Sequence, residues 1–237
     1  MENEKSCFWA RFEEINGELH RFDTRIYLNQ IEKISDSDEC IGAIIAKNPG
    51  SAKNGKNSLG VLAPLKLDND KLLPTIKNWI SEADHNKKAG QYVQVLNTFY
   101  LCNPNLREAF DSIMNKEKID KLKEKQKADR TNTKNGDKLK IEDFIAIDPA
   151  EKKSFPWVWI MWGGLSGLLA DHQRCMNFLK SRFEHISNNV FYVLQNKDPK
   201  KTKIVEEIPA NNICAKHSQG MQKGPAMEYL KNNIFKK

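Results

Sequence analysis

Several features that define common protein classes are missing from this sequence. The longest apolar stretches, residues 41–46 and 155–165, are far shorter than the roughly 20 residues that a membrane-spanning helix needs. The amino terminus, Met-Glu-Asn-Glu-Lys, is not followed by an apolar segment with a small-residue cleavage site. We therefore expect a cytoplasmic protein with no membrane association.

Metal-binding and nucleotide-binding motifs are also missing. The five cysteines never form a Cys-x-x-Cys pair, and the five histidines show no metal-binding spacing, so we expect reduced thiols, no metal and no cofactor. The sequence has no Gly-x-x-x-x-Gly-Lys-Ser/Thr loop and no dinucleotide-binding glycine fingerprint. These absences argue against a nucleotide hydrolase and a Rossmann cofactor site. A Gly-x-Ser-x-Gly nucleophile elbow is absent as well.

What the chain does have is positive charge and enough apolar residues for a core. Of its 237 residues, 39% are hydrophobic and 29% are charged, and we predict a single domain, 1–237. The formal net charge of +7 favours partners that carry phosphates. Many basic proteins bind no nucleic acid, so charge alone does not decide the partner.

Apolar runs alternate with helical segments along the chain. Core strands are predicted at 40–46, 92–101, 157–162 and 190–194, helices at 73–83 and 168–186, and a peripheral strand at 19–28. Strands that alternate with helices are typical of right-handed parallel crossover units. The sequence therefore predicts a three-layer α/β domain with a central, mainly parallel four-stranded sheet.

Lysine dominates residues 111–143, which we interpret as a helical and loop insertion within the domain. A solvated helix with a loop at 131–137 is the simplest interpretation. An arm that contacts phosphates and a helix that docks a protein partner remain alternatives.

Two asparagines lie where a ligand is expected. In a parallel sheet the ligand lies beyond the carboxyl ends of the strands, so the loops after the four core strands are predicted to line one crevice. Asn48 and Asn97 lie at two of these ends, and a neutral amide suits a nucleobase edge or a positioned water. A turn before Pro49 also explains Asn48, and capping of the strand end also explains Asn97.

Phosphate contacts are predicted at lysines near these loops: Lys47, Lys53, Lys56 and Lys223. Glycines at 50, 55 and 60 would let backbone amides approach a phosphate. His217, after the fourth strand, is a candidate catalytic group, although a solvated loop histidine is the simpler interpretation.

The order of these pieces resembles a known family. The motifs are Asn48-Pro49-Gly50-Ser51-Ala52, Pro74-Thr75-Ile76, Val95-Leu96-Asn97-Thr98-Phe99 and Trp162-Gly163. They resemble an uncharacterised bacterial domain family, domain of unknown function 1643, over about residues 41–229 except the Lys-rich segment. The same order is similar to the uracil-DNA glycosylase superfamily, in which an Asn-Pro-Gly type loop follows the first core strand and a Leu-Leu-Asn element ends the second.

This resemblance implies a uracil-DNA glycosylase-like fold and a metal-independent N-glycosylase in DNA repair or defence. Asn48 would orient the attacking water, and Asn97 would hydrogen-bond the edge of an extruded modified or deaminated base. The other residues implied to contact the base are Pro49, Gly50, Ser51, Phe99, Tyr100, Trp162 and Gly163. The partner would be nucleic acid, DNA rather than RNA, or a nucleotide.

The sequence departs from the glycosylase pattern at two places. Gly224-Pro225 stands where His-Pro is expected, and Leu62 and Ala63 stand where an aromatic ring would stack on the base. His217 would have to replace the histidine, and Phe99 or Tyr100 the aromatic ring. These departures leave open a second interpretation, a non-catalytic nucleotide or nucleic-acid binding module of the same fold.

Overall fold

The computed structural model describes residues 5–15, 17–47, 49, 59–67, 70–103, 105–114, 148–163, 172–196, 198, 201–209, 215–216 and 220–236. Its strands are β1 (Ser6–Ile15), β2 (Glu18–Ile31), β3 (Glu39–Ala46), β4 (Leu62–Pro64), β5 (Gln91–Asn97), β6 (Val158–Ile160), β7 (Val190–Leu194) and β8 (Lys203–Val205). Its α-helices are α1 (Leu72–Ala83), α2 (Leu106–Met114), α3 (His172–Phe183) and α4 (Lys223–Tyr229). A 3-10 helix covers Pro149–Lys152, and a π-helical turn, Leu230–Ile234, continues α4.

The described strands form one mixed sheet in the order β4-β1-β2-β5-β3-β6-β7-β8. The four predicted core strands, β5, β3, β6 and β7, are adjacent and mutually parallel. Strands β1, β2 and β4 extend the sheet by antiparallel pairing on one side, and β8 does so on the other. The chain is therefore an α/β protein, but the expectation of a four-stranded, mainly parallel sheet of the uracil-DNA glycosylase-like type is wrong, because antiparallel strands extend the sheet on both sides.

Helices cover both faces of the sheet. Apolar side chains of α1 and α4 pack with Ile44, Val93 and Val95 on one face, which we call the α1 face. Side chains of α2 and α3 pack with Ile45 and Leu96 on the opposite face. Neighbouring residues of β3 and β5 thus enter different cores, as the alternation of side chains along a strand requires.

The local predictions hold best where the apolar pattern is strong. Helix α1 begins within one residue of its predicted start, and Asp70 accepts the backbone N–H groups of Leu72 and Leu73 at its first turn. The strand predicted to be peripheral is β2, which instead lies inside the sheet between β1 and β5. Within the described part of the chain, no helix has both the length and the apolar character to cross a membrane.

Most of the Lys-rich insertion, 111–143, lies outside the described residues. Helix α2 contains its first residues, 111–114, and residues 115–147 lie outside the described residues. The insertion and the single-domain organisation therefore stay predictions.

Candidate functional site

The carboxyl ends of β3 and β6 form the centre of the candidate site. The helix after β3, α1, lies on one face of the sheet, and the helix after β6, α3, lies on the other. Neighbouring parallel strands whose connections leave to opposite faces create a crevice beyond their carboxyl ends. This rule predicts a crevice beyond Ala46 and Ile160, and Asn97 at the end of β5 pairs with Ala46.

Backbone hydrogen bonds fix the ends of these strands. The N–H of Thr98 donates to the carbonyl of Ala46 at 2.9 Å, and that of Phe99 donates to the carbonyl of Lys47 at 3.2 Å. The Thr98 hydroxyl also donates to the Lys47 carbonyl. The chain is therefore held firmly up to the residue before Asn48.

Asn97 is the predicted site residue whose environment is most informative. Its side chain lies on the α1 face, because it pairs with Ala46 and follows Val93 and Val95 in strand alternation. Only 1% of the residue is exposed, and neither Oδ1 nor Nδ2 has a hydrogen-bond partner among the described residues. Asn97 therefore does not cap its own strand, and the described part of the chain leaves its buried donor and acceptor unpaired.

A buried ion pair holds the backbone of Asn97 from the opposite face. Arg182 on α3 donates from Nη2 to the Asn97 carbonyl at 3.2 Å and from Nη1 to the Thr98 carbonyl at 2.7 Å. Its Nε donates to Glu151 Oε2 at 3.0 Å, and the hydroxyl of Tyr100 donates to Glu151 Oε1 at 2.5 Å. These bonds fix the strand end that carries the Asn97 amide.

Burial and the neighbouring Glu151 carboxylate set the protonation states of Arg182 and Tyr100. Burial alone would lower the pKa of Arg182, but attraction to Glu151 outweighs it and the pKa is raised. Burial, reinforced by the negative charge of Glu151, raises the pKa of Tyr100 well above its usual value. Arg182 therefore stays charged, and Tyr100 stays a hydrogen-bond donor.

The aromatic residues predicted to contact a base lie in the core of the other face. Phe99 and Trp162 are buried with the side chains of α2 and α3, and Phe99 packs edge-on against Phe110 at 6.1 Å between ring centroids. Tyr100 is buried against Glu151 and Phe22. The structure does not bring these rings together with the Asn97 amide.

Gly163 connects the end of β6 to a distant segment of the chain. It has a left-handed backbone conformation, φ 71°, and its N–H donates to the carbonyl of Ala215 at 2.7 Å. The next residue, Lys216, donates its N–H to the carbonyl of Val193 at 3.1 Å. The residues just before His217 thus cross the carboxyl ends of β6 and β7.

Several predicted site residues lie outside the described residues: Asn48, Gly50, Ser51, Lys53, Lys56 and His217. Their roles stay predictions. Among the described ones, Pro49 is buried and Lys47 is partly buried. Lys223 pairs with Glu82 of α1 at 2.6 Å, so a phosphate would compete with this carboxylate for its ammonium.

Besides Arg182 and Glu151, sequence reasoning missed two further buried residues with ionisable side chains near β5. Asp148 accepts the N–H groups of Asp23 at 2.6 Å and Ala150 at 3.0 Å, and burial raises its pKa to about 6. The signal for this residue was present, since Asp before Pro149 is a common helix cap. The second residue, Arg21 on β2, is almost fully buried, and no sequence pattern marks it.

No group of three or more His, Cys, Asp or Glu side chains within the described ranges is arranged to hold a metal ion. No protein-family model matches the chain, and neither a curated protein nor a solved structure is significantly similar to it.

Proposed function

We propose that the carboxyl end of β5 binds a nucleobase and that the protein is a metal-independent, DNA glycosylase-like hydrolase of a modified or deaminated base. The observation that carries this proposal is the buried Asn97 amide, whose Oδ1 and Nδ2 have no partner among the described residues. Leaving such groups unpaired costs about 1–3 kcal/mol each. A ligand that supplies an acceptor and a donor side by side removes this cost.

A nucleobase edge matches this requirement. Bases present adjacent donors and acceptors on one planar edge, and a side-chain amide can bond to both at once. Arg182 holds this strand end through charge-assisted hydrogen bonds to the carbonyls of Asn97 and Thr98. An amide held in this way discriminates between bases, because a base with the wrong edge leaves it unpaired again.

The proposed reaction needs a water molecule close to this base. Under the resemblance described above, Asn48 orients that water, and it directly follows Lys47, whose carbonyl is fixed by Thr98 and Phe99. The water oxygen adds to the anomeric carbon of the sugar as the glycosidic C–N bond breaks. The base leaves with the bonding electron pair, and the sugar passes through a cation-like transition state.

A second candidate is a binding module of the same fold without catalysis. It is favoured by Gly224, which stands where the resemblance expects the histidine that stabilises the leaving base. Glycine has no side chain, so this position supplies no catalytic group. A Cβ built at Gly224 meets nothing within 4 Å. Base binding through Asn97 is common to both candidates.

The test combines a turnover assay with a binding assay. Purified full-length protein is incubated with single-stranded and duplex oligonucleotides that carry uracil or other altered bases, and abasic sites are counted by alkaline cleavage. Binding of free bases and nucleosides is measured by calorimetry. We expect Asn97→Leu to weaken base binding at least about 100-fold, because it removes both hydrogen-bonding atoms.

The matched control is Gln94→Met, which removes another buried amide from the same strand but on the opposite face. It should leave base binding within about 3-fold of the wild type. Turnover on any altered base favours the glycosylase, and base binding without turnover favours the binding module. Failure to bind any base or nucleoside would refute both.

A further inference from the structure

Arg21 is a buried cation that lacks partners for two of its donor atoms. The residue is 2% exposed, and its Nε and Nη1 atoms have no hydrogen-bond partner among the described residues. Burial lowers its pKa, and the charges of Cys102 and Asp70 oppose this effect without outweighing it. The Asp70 carboxylate already accepts two backbone N–H groups at the start of α1.

Two other arginines, the buried Arg182 and the partly buried Arg25, show how this chain treats such a charge. Arg25, on the same strand, donates two hydrogen bonds to the carboxylate of Asp23, at 2.9 and 2.8 Å. Arg182 is paired with Glu151. Among the described residues Arg21 has no such partner, and an unpaired buried charge costs several kcal/mol, so its presence here needs a reason other than stability.

Arg21 and Asn97 lie on the same face of neighbouring strands. Arg21 is directly opposite Phe12 in the antiparallel β1–β2 pair, and Phe12 packs in the core of the α1 face. The N–H of Arg21 donates to the Tyr100 carbonyl at 2.9 Å, three residues beyond Asn97. Both unpaired side chains are therefore at the carboxyl end of β5, on the α1 face.

The surface is not far from Arg21. Leu59 bridges to Phe12 on the side away from β2 and is 49% exposed. Two strand spacings, about 10 Å, thus separate Arg21 from a solvent-exposed residue. Arg21 therefore lies two strands from the surface at this end of the sheet.

We infer that Arg21 binds an anionic phosphate oxygen of the nucleotide whose base hydrogen-bonds with Asn97. The identity of the base rests on the proposed function. The expectation of an anionic group on the ligand rests on Arg21 alone. A guanidinium presents its N–H groups in a planar fork that fits phosphate oxygens, and such bonds are charge-assisted. The ligand is then a phosphate-bearing nucleotide, either free or within a strand, rather than a bare base or nucleoside.

The test compares four kinds of probe by calorimetry at low salt: inorganic phosphate, nucleosides, nucleoside 5′-monophosphates and short single-stranded oligonucleotides. Arg21→Met keeps much of the apolar stem and removes the fork, and Arg21→Lys keeps the charge without the fork. The control is Arg107→Met, which removes the same charge from an exposed residue of α2. Thermal unfolding of each variant is measured in parallel.

We expect Arg21→Met to weaken binding of the phosphate-bearing probes at least 10-fold, to leave nucleoside binding unchanged and to raise the melting temperature. Arg21→Lys should give an intermediate loss, and it keeps the test valid if Arg21→Met fails to fold. Tighter binding of monophosphates than of oligonucleotides indicates a free nucleotide, and the reverse order indicates a strand.

Two results would overturn the inference. One is wild-type protein that binds no phosphate-bearing probe more tightly than the matching nucleoside. The other is an Arg21→Met variant that binds these probes as tightly as the wild type does. If nucleosides bind in either case, the proposed function stands. If the wild type binds inorganic phosphate but no nucleoside or nucleotide, and Arg21→Met loses this binding, Arg21 is an anion site but the base site is refuted.

Discussion

Replacing Arg182 by Met should destabilise the protein far more than breaking an exposed ion pair. The Arg182 and Glu151 side chains are only 4% and 5% exposed. The substitution leaves a buried carboxylate without its cation and removes the donors to two backbone carbonyls. Loss of one partner of a buried pair costs about 3–5 kcal/mol, and the unpaired carbonyls place the expected value at the upper end of this range.

The matched comparison is Lys223→Met, which breaks the pair with Glu82. Both of these side chains are 49% exposed, so solvent screens the pair and the loss should be much smaller than for Arg182→Met. Urea unfolding followed by tryptophan fluorescence gives both free energies. For a chain of this size, the Arg182 variant should melt roughly 6–20 °C below the wild type. If Arg182→Met costs no more than Lys223→Met, the buried cluster does not hold the end of β5, and the proposed positioning of Asn97 loses its support.

Three further predictions concern the acid beside β2 and two glycines. Because burial raises the pKa of Asp148 to about 6, the folded state binds its proton more tightly than the unfolded state does. Its contribution to stability is therefore complete below about pH 4 and is lost as the pH rises through 6, a change of about 3 kcal/mol that Asp148→Asn should remove from a series of urea titrations. An unchanged pH profile in Asp148→Asn would contradict this assignment. Gly42→Ala should destabilise the protein by about 1–3 kcal/mol, because its Cβ would lie 2.1 Å from the indole of Trp157. The control is Gly224→Ala, whose Cβ would have no atom within 4 Å and whose effect on stability should be close to zero. Equal losses of stability in the two variants would disprove the clash. Gly224→His should likewise fold normally and, if the glycosylase proposal is right, raise the rate of base release; a folded variant with unchanged turnover would count against a missing histidine as the limiting feature.

The sequence predicted the parallel part of the fold because those strands are continuous apolar runs. Strand β3 and helix α1 have unbroken patterns, and their bounds were predicted within one residue. Strand β1 was missed because register irregularities between Ser6 and Phe8 and between Trp9 and Arg11 break its alternation, and it carries charged residues at Arg11, Glu13 and Glu14. The width of the sheet was therefore underestimated.

The position of Asn97 could be predicted, but its surroundings could not. Strand β5 was predicted to continue to Leu101, yet its regular pairing ends at Asn97. Here Arg182 donates hydrogen bonds to the carbonyls of Asn97 and Thr98. Arg182 looks like an ordinary solvated residue in the last turn of a helix, and Glu151 looks like part of a charged loop. Only folding brings them together, since 31 residues separate them in sequence.

The strand order has a consequence for synthesis of the chain. Strands β4-β1-β2-β5-β3 come from the first 97 residues and form one contiguous block, while β6, β7 and β8 come from residues 158–205. The two blocks share one ladder of three residue pairs, between β3 and β6. At ordinary translation rates the ribosome needs roughly 3–12 s to make the intervening residues. During that interval β3 has no partner for the edge that pairs with β6, and a site that needs the ends of both strands cannot be complete.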